Sequence, residues 1–265
     1  MQVEQSYIKQ TFDLAWRFFS LNKAASFIVL GILFFLAVFS AIPIIGFFVS
    51  MAFGLFIFAL QIYVAKVVLH SKTDADYENN IKTLQPKNML TRFVSIAMGA
   101  YLGMFILQMI ALFLIFASIA IAVGSDTMIA LSNGSLNTVE QMQVFQNLGI
   151  IGVVIMIFIM FFAYIYPLVI GRVYMMETFG DAFKSIFLIF SPELWKKTFN
   201  KRYFILISVV QLVFFGLVIV IALTMMSIVL IPIAVLITYF ILLTTPIMAI
   251  IAHKISYGEQ TQEIV

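Results

Sequence analysis

The stretch YFILISVVQLVFFGLVIVIALTMMSIVLIPIAVLITYFILLTTPIMAIIAH, Tyr203–His253, decides how this chain is read. It contains no Asp, Glu, Lys or Arg. A helix needs about 20 apolar residues to cross roughly 30 Å of hydrocarbon, so the stretch is too long for one span and suits two. Ser227 to Pro232 reads as the turn between them, because proline ends a helix that approaches from its N-terminal side. The same arrangement occurs earlier, where Pro43 interrupts an apolar run that begins at Ala25.

Working outward, six spans are predicted, at about 25–42, 46–69, 93–124, 148–173, 203–226 and 230–253. The fold class is therefore all-α, an integral membrane bundle of six helices forming a single transmembrane domain over 1–265. Composition agrees. Of 265 residues 63% are hydrophobic and 10% charged, with a mean hydropathy of +1.12, against about 25% charged in an ordinary soluble domain. Cysteine is absent, which removes disulfides, thiolate catalysis and Cys-type metal sites. Residues 1–23 lack a cleavable small-residue site, so the first span is expected to act as its own insertion signal.

The charges are one-sided. All 15 Lys and Arg fall before the first span, at or between the second and third, at or between the fourth and fifth, or after the sixth. The segment 125–147 carries only Asp126 and Glu140. The positive-inside rule then predicts both termini in the cytoplasm, and the chain is expected in the cell inner membrane. A net charge of +3 distributed this way serves topology and does not point to nucleic acid.

Two amphipathic segments lie on the basic side, at about 7–20 and 178–200. In the first, Ile8, Phe12, Ala15, Trp16 and Phe19 have helical spacing while Gln10, Asp13, Arg17 and Ser20 face away. In the second, Phe179, Ala182, Phe183, Ile186, Phe187 and Phe190 do the same through 190, with Thr178 and Asp181 as an N-terminal cap. A further helix start is expected at Ser191-Pro192. Trp16, Trp195, Arg17 and Lys184 are the expected headgroup anchors.

A weak repeat links the two ends of the chain. Phe12, Ala15, Trp16 and Arg17 match Phe179, Ala182, Phe183 and Lys184. Asn22-Lys23 matches Asn200-Lys201, Ile42-Pro43-Ile44 matches Ile231-Pro232-Ile233, and Ala65-Lys66 matches Ala252-His253-Lys254. Small residues at Gly46, Ser50 and Gly54, and at Gly99 and Gly103, are expected to allow close helix packing within the chain or between two copies.

No acidic or basic side chain is expected in the membrane interior, which counts against a proton-coupled transporter. Gln61, Gln108 and Gln211 lie in three different spans with Tyr101, Tyr164 and Tyr166 also at depth. Gln61, Gln108, Gln211 and Tyr164 would line a polar cavity if they converge, and otherwise each makes one interhelical hydrogen bond. His70 and His253 read as headgroup anchors at basic helix exits. No metal site, catalytic set or cofactor is expected, because no ligand or acid–base group converges with them. A short helix capped by Asn137 or Thr138 is expected on the outer segment through Gln146.

After Pro167 come Glu177, Gly180, Ala182, Lys184, Ser185 and Trp195. In this pattern the chain resembles a broad group of prokaryotic multi-span membrane proteins. It includes the YciC-like proteins and the membrane domain attached to some glycerophosphodiester phosphodiesterases. The resemblance implies a fold and no reaction, and nothing here has the composition of a soluble phosphodiesterase domain. The function expected is a non-enzymatic scaffold, assembly factor or lipid-associated accessory component. The alternative is a transporter or permease-type subunit for a neutral or lipid-like solute. The partners expected are the lipid bilayer and a membrane protein, either another chain or a second copy of this one.

Overall fold

The computed structural model describes residues 2–40, 42–124, 127, 133, 138–224 and 230–258. Among these the secondary structure is helical, with no strand. The helices are α1 (Gln2–Leu21), α2 (Lys23–Ser40), α3 (Ile45–His70), α4 (Asp74–Lys82), α5 (Pro86–Val123), α6 (Thr138–Met175), α7 (Phe179–Ile186), α8 (Pro192–Thr198), α9 (Lys201–Thr224) and α10 (Ile231–Tyr257). Six of them are long and apolar enough to cross a membrane, in α2, α3, α5, α6, α9 and α10. The chain is a multi-pass membrane protein with an all-α bundle.

Two compact units divide it. The first comprises Met1–Gly103 and Ile165–Val265, the second Met104–Tyr164. In the second unit Phe113, Phe116, Phe158 and Phe161 are exposed on the outer surface of α5 and α6. Such surfaces cost nothing against hydrocarbon. Thr138 starts α6, which continues unbroken to Met175. The short separate helix expected through Gln146 is therefore part of the fourth span. Its apolar face carries straight on from the outer segment, and no glycine or proline intervenes before Gly149. Asn137 and Ser227 lie outside the described residues.

In the first unit α10 is central, packed by α1, α2, α3, α8 and α9. Its second half is almost wholly buried, from Leu243 to His253. The surrounding core is Ile62, Val64 and Ala65 of α3, Leu168, Val169, Ile170 and Val173 of α6, and Leu206, Ile207 and Val210 of α9. Gly171 lets α6 and α10 touch: a Cβ there would lie 2.6 Å from the Ala249 carbonyl oxygen and 3.3 Å from His253 Cβ.

The first amphipathic helix is packed more deeply than its sequence suggests. Thr11, Leu14, Ala15 and Phe18 form its buried stripe, while Trp16 stays 59% exposed. The expected apolar set is thus divided: Phe12 stacks on Phe240 of α10, and Trp16 looks outward. The reason is that α1 contacts α4 as well as α10. α4 went unread in the sequence because it is short and polar, although Thr73 and Asp76 close a capping box at its start. Tyr77 of α4 donates to the Leu14 carbonyl at 2.8 Å, and burial pushes its phenol far above its ordinary pKa.

The turn between α2 and α3 is strained. Ile44 has φ +67° and ψ −59°, and Ile45 N donates to the Pro43 carbonyl at 2.8 Å. That is a γ-turn with positive φ, rare for any residue and costly for a β-branched one. In the second amphipathic segment, α7 gives way to a 3-10 turn over Phe187–Phe190, so the single helix expected through 190 is shorter. Trp195 Nε1 donates to the Ile189 carbonyl at 2.8 Å and holds that tighter turn.

Candidate functional site: a basic pocket at the end of α3

The last turns of α3 carry Lys66 and His70 on one face, four residues apart. Lys66 is only 6% exposed. A buried ammonium is unstable without a partner, and Lys66 Nζ is paired with Glu177 Oε1, in the segment after α6. The sequence reading left the interior without an acid or a base and set Lys66 at the helix exit. The structure turns it inward, because Glu177 is brought to it from 111 positions away.

Around this pair lies a cavity of about 320 Å³, lined by Tyr63, Lys66, Val67, His70, Asn80, Thr83, Arg92, Phe93 and Glu177. Its floor is apolar, with Tyr63 set edge-on to Phe93 at 5.7 Å. Its walls are polar and fixed. His70 Nδ1 meets the Lys66 carbonyl at 2.7 Å, and Asn80 Nδ2 donates to Ser71 Oγ at 3.0 Å. Lys66 and Arg92 outnumber Glu177, so the pocket carries a net positive charge. Arg92 is exposed, and its guanidinium makes no hydrogen bond or ion pair among the described residues.

α4 is held in place by α1. Arg17 donates to Asp74 at 2.6 Å and to Glu78 at 3.1 Å. Burial works against its charge, but the two carboxylates outweigh it and raise the Arg17 pKa. Arg17 therefore reaches α4, while Lys184 is exposed. Trp16 lines an entirely apolar groove of about 310 Å³ with Leu217, Leu236 and Phe240.

Gln61 accepts from Tyr174 at 3.0 Å and is buried. Gln211 is half-buried on α9 in the same unit. Gln108 and Tyr164 belong to the second unit, Gln108 on an exposed face. The small residues of the second span act singly, and the pair on the third acts together. A Cβ at Gly46 would strike the Ser40 carbonyl in the turn, and one at Gly54 the Tyr101 ring; Ser50 is exposed. Gly99 and Gly103 seat α7 on α5: their missing Cβ atoms leave room for the Phe179 and Phe183 carbonyls and for Ile186. Gly171, and the pairing of Glu177 with Lys66, escaped the sequence reading. Glycine spacing around Gly171 is irregular, and no local pattern links Glu177 to Lys66.

Compared with known proteins, the chain matches no family model, no curated protein and no solved structure.

Proposed function

We propose that the chain is a non-enzymatic protein of the cell inner membrane, with both termini cytoplasmic, serving as a lipid-associated scaffold or assembly component. One observation carries this reading. Three buried polar side chains of the first unit are engaged across the fold: Gln61 by Tyr174, Ser26 by Tyr239, Lys66 by Glu177. Polar pairs of this kind hold helices together, and the basic pocket beside them opens at helix ends. The resemblance to YciC-like membrane proteins around Glu177 and Ala182-Phe183-Lys184-Ser185 is part of the same proposal.

Native mass spectrometry of the full chain, extracted gently from its own membrane, tests it. Retained phospholipid, or a second polypeptide at fixed stoichiometry, is the expected result. A bare chain carrying one discrete neutral solute would replace it with transport. The orientation has its own test, since the chain has no cysteine. Single cysteines placed at Lys72 and Lys184 should resist an impermeant thiol reagent in intact cells, and labelling from outside would reverse the topology.

A further inference from the structure

We propose that the pocket at the end of α3 is a phosphate site for the headgroup of an anionic glycerophospholipid. The inference rests on the lipid-associated reading above and names the lipid class and the residues that hold it.

The depth is right. Lys66 is one turn from the end of α3 at His70, and Arg92 stands at the start of the apolar span Thr91–Ile121. Two spans therefore reach the edge of the hydrocarbon at the cavity, where lipid headgroups lie. The chemistry is right as well. Lys66 presents a compact ammonium and Arg92 a planar fork of donors, and both suit phosphate oxygens. Asn80 and the Tyr63 hydroxyl add neutral hydrogen-bonding groups to the lining. The apolar floor of Val67 and Phe93 fits the glycerol and the first methylenes of the chains. At about 320 Å³ the space is at the small end of ligand sites, roughly 300–1,000 Å³, which matches a headgroup and excludes a whole lipid.

Glu177 is the internal competitor. Its side chain is 76% exposed while that of Lys66 is 7% exposed, so the carboxylate has only to swing into water for the ammonium to meet a phosphate. The remaining net positive charge selects an anionic headgroup over a zwitterionic one.

The experiment uses the full chain in detergent, titrated with phosphatidylglycerol or phosphatidylcholine of the same chain length and read by native mass spectrometry. A parallel arm adds inorganic phosphate and glycerol 3-phosphate. Wild type should retain phosphatidylglycerol at least fivefold over phosphatidylcholine. Arg92→Gln should lower that preference by about fivefold, the effect of one cation close to an anionic group. Arg92 is exposed and makes no hydrogen bond or ion pair among the described residues, so this variant is expected to fold, which its unfolding midpoint in detergent checks. Glu177→Gln should raise retention, because it frees Lys66. If millimolar inorganic phosphate displaces the lipid, and Arg92→Gln abolishes that displacement, the phosphate site stands and a soluble phosphate shares it. If Arg92→Gln and the double variant Lys66→Gln/Glu177→Gln both keep the wild-type preference, the site is wrong while lipid association survives. Wild type that retains no lipid at all overturns the lipid-associated reading itself.

Discussion

Asn22 opens the pair α2–α3 and Asn200 opens the pair α9–α10, and each does so in the same way. Asn22 Oδ1 accepts from Ala25 N at 3.0 Å, and Asn200 Oδ1 from Arg202 N at 2.9 Å. Each amide then donates to a carbonyl of another helix, Ile81 for Asn22 and Ile255 for Asn200. The exits of the two pairs differ. In α3, Ala65 is followed by a buried Lys66 that is paired with Glu177. In α10, Ala252 is followed by a buried His253 stacked on Tyr257 at 4.2 Å, and neither ring nitrogen has a partner among the described residues. A lysine ammonium at such a position requires an anion. An imidazole can be covered by an aromatic face and a glycine. Matching motifs thus lead to an open polar pocket at one exit and a closed, packed joint at the other.

The comparison can be broken most severely at the closed exit. Gly171→Val should force α6 off α10, since even a Cβ meets the Ala249 carbonyl. A loss of about 3 kcal/mol is expected, read as a lowered unfolding midpoint in detergent. At the open exit, Glu177→Gln strands the Lys66 ammonium. The cost should be about 2 kcal/mol, less than the roughly 3–5 kcal/mol of a fully buried pair, because water reaches Glu177. Lys66→Met added to Glu177→Gln should recover most of it, and a double variant no more stable than the single would show that the pair does not matter. His253→Phe sharpens the contrast: it keeps the stacking, removes two unpartnered nitrogens and should stabilise by about 1 kcal/mol. Smallest is the turn of the first pair. Ile44→Gly relieves roughly 1–2 kcal/mol of strain against roughly 0.5–1 kcal/mol of glycine entropy, a net gain of about 0.5 kcal/mol in the same assay.

The spans were legible because hydrocarbon demands long apolar helices, and the break at Pro43 because an apolar run of that length must turn and proline disfavours continuing the helix there, although Pro167 and Pro246 sit inside α6 and α10. The Thr178 cap was legible too, since its side chain accepts from Asp181 N three residues on, at 3.2 Å. α4 left only a capping-box signal in a polar stretch. The face of α1 was misjudged because hydrophobic spacing cannot say that a helix has several neighbours, here α2, α4, α9 and α10. The pocket was not legible at all. Tyr63 and Lys66 come from α3, Asn80 from α4, Arg92 from α5 and Glu177 from beyond α6.

By itself, then, the sequence determined that this is an all-helical protein with six helices long and apolar enough to span a membrane. Those features follow from local composition and from the thickness of a bilayer. Only the tertiary structure decided which buried polar groups meet: Lys66 with Glu177, Gln61 with Tyr174, Arg17 with α4. Between apolar helices many packings bury similar surface. The few long-range polar contacts distinguish one packing from another, and their partners lie tens to more than a hundred residues apart in the chain.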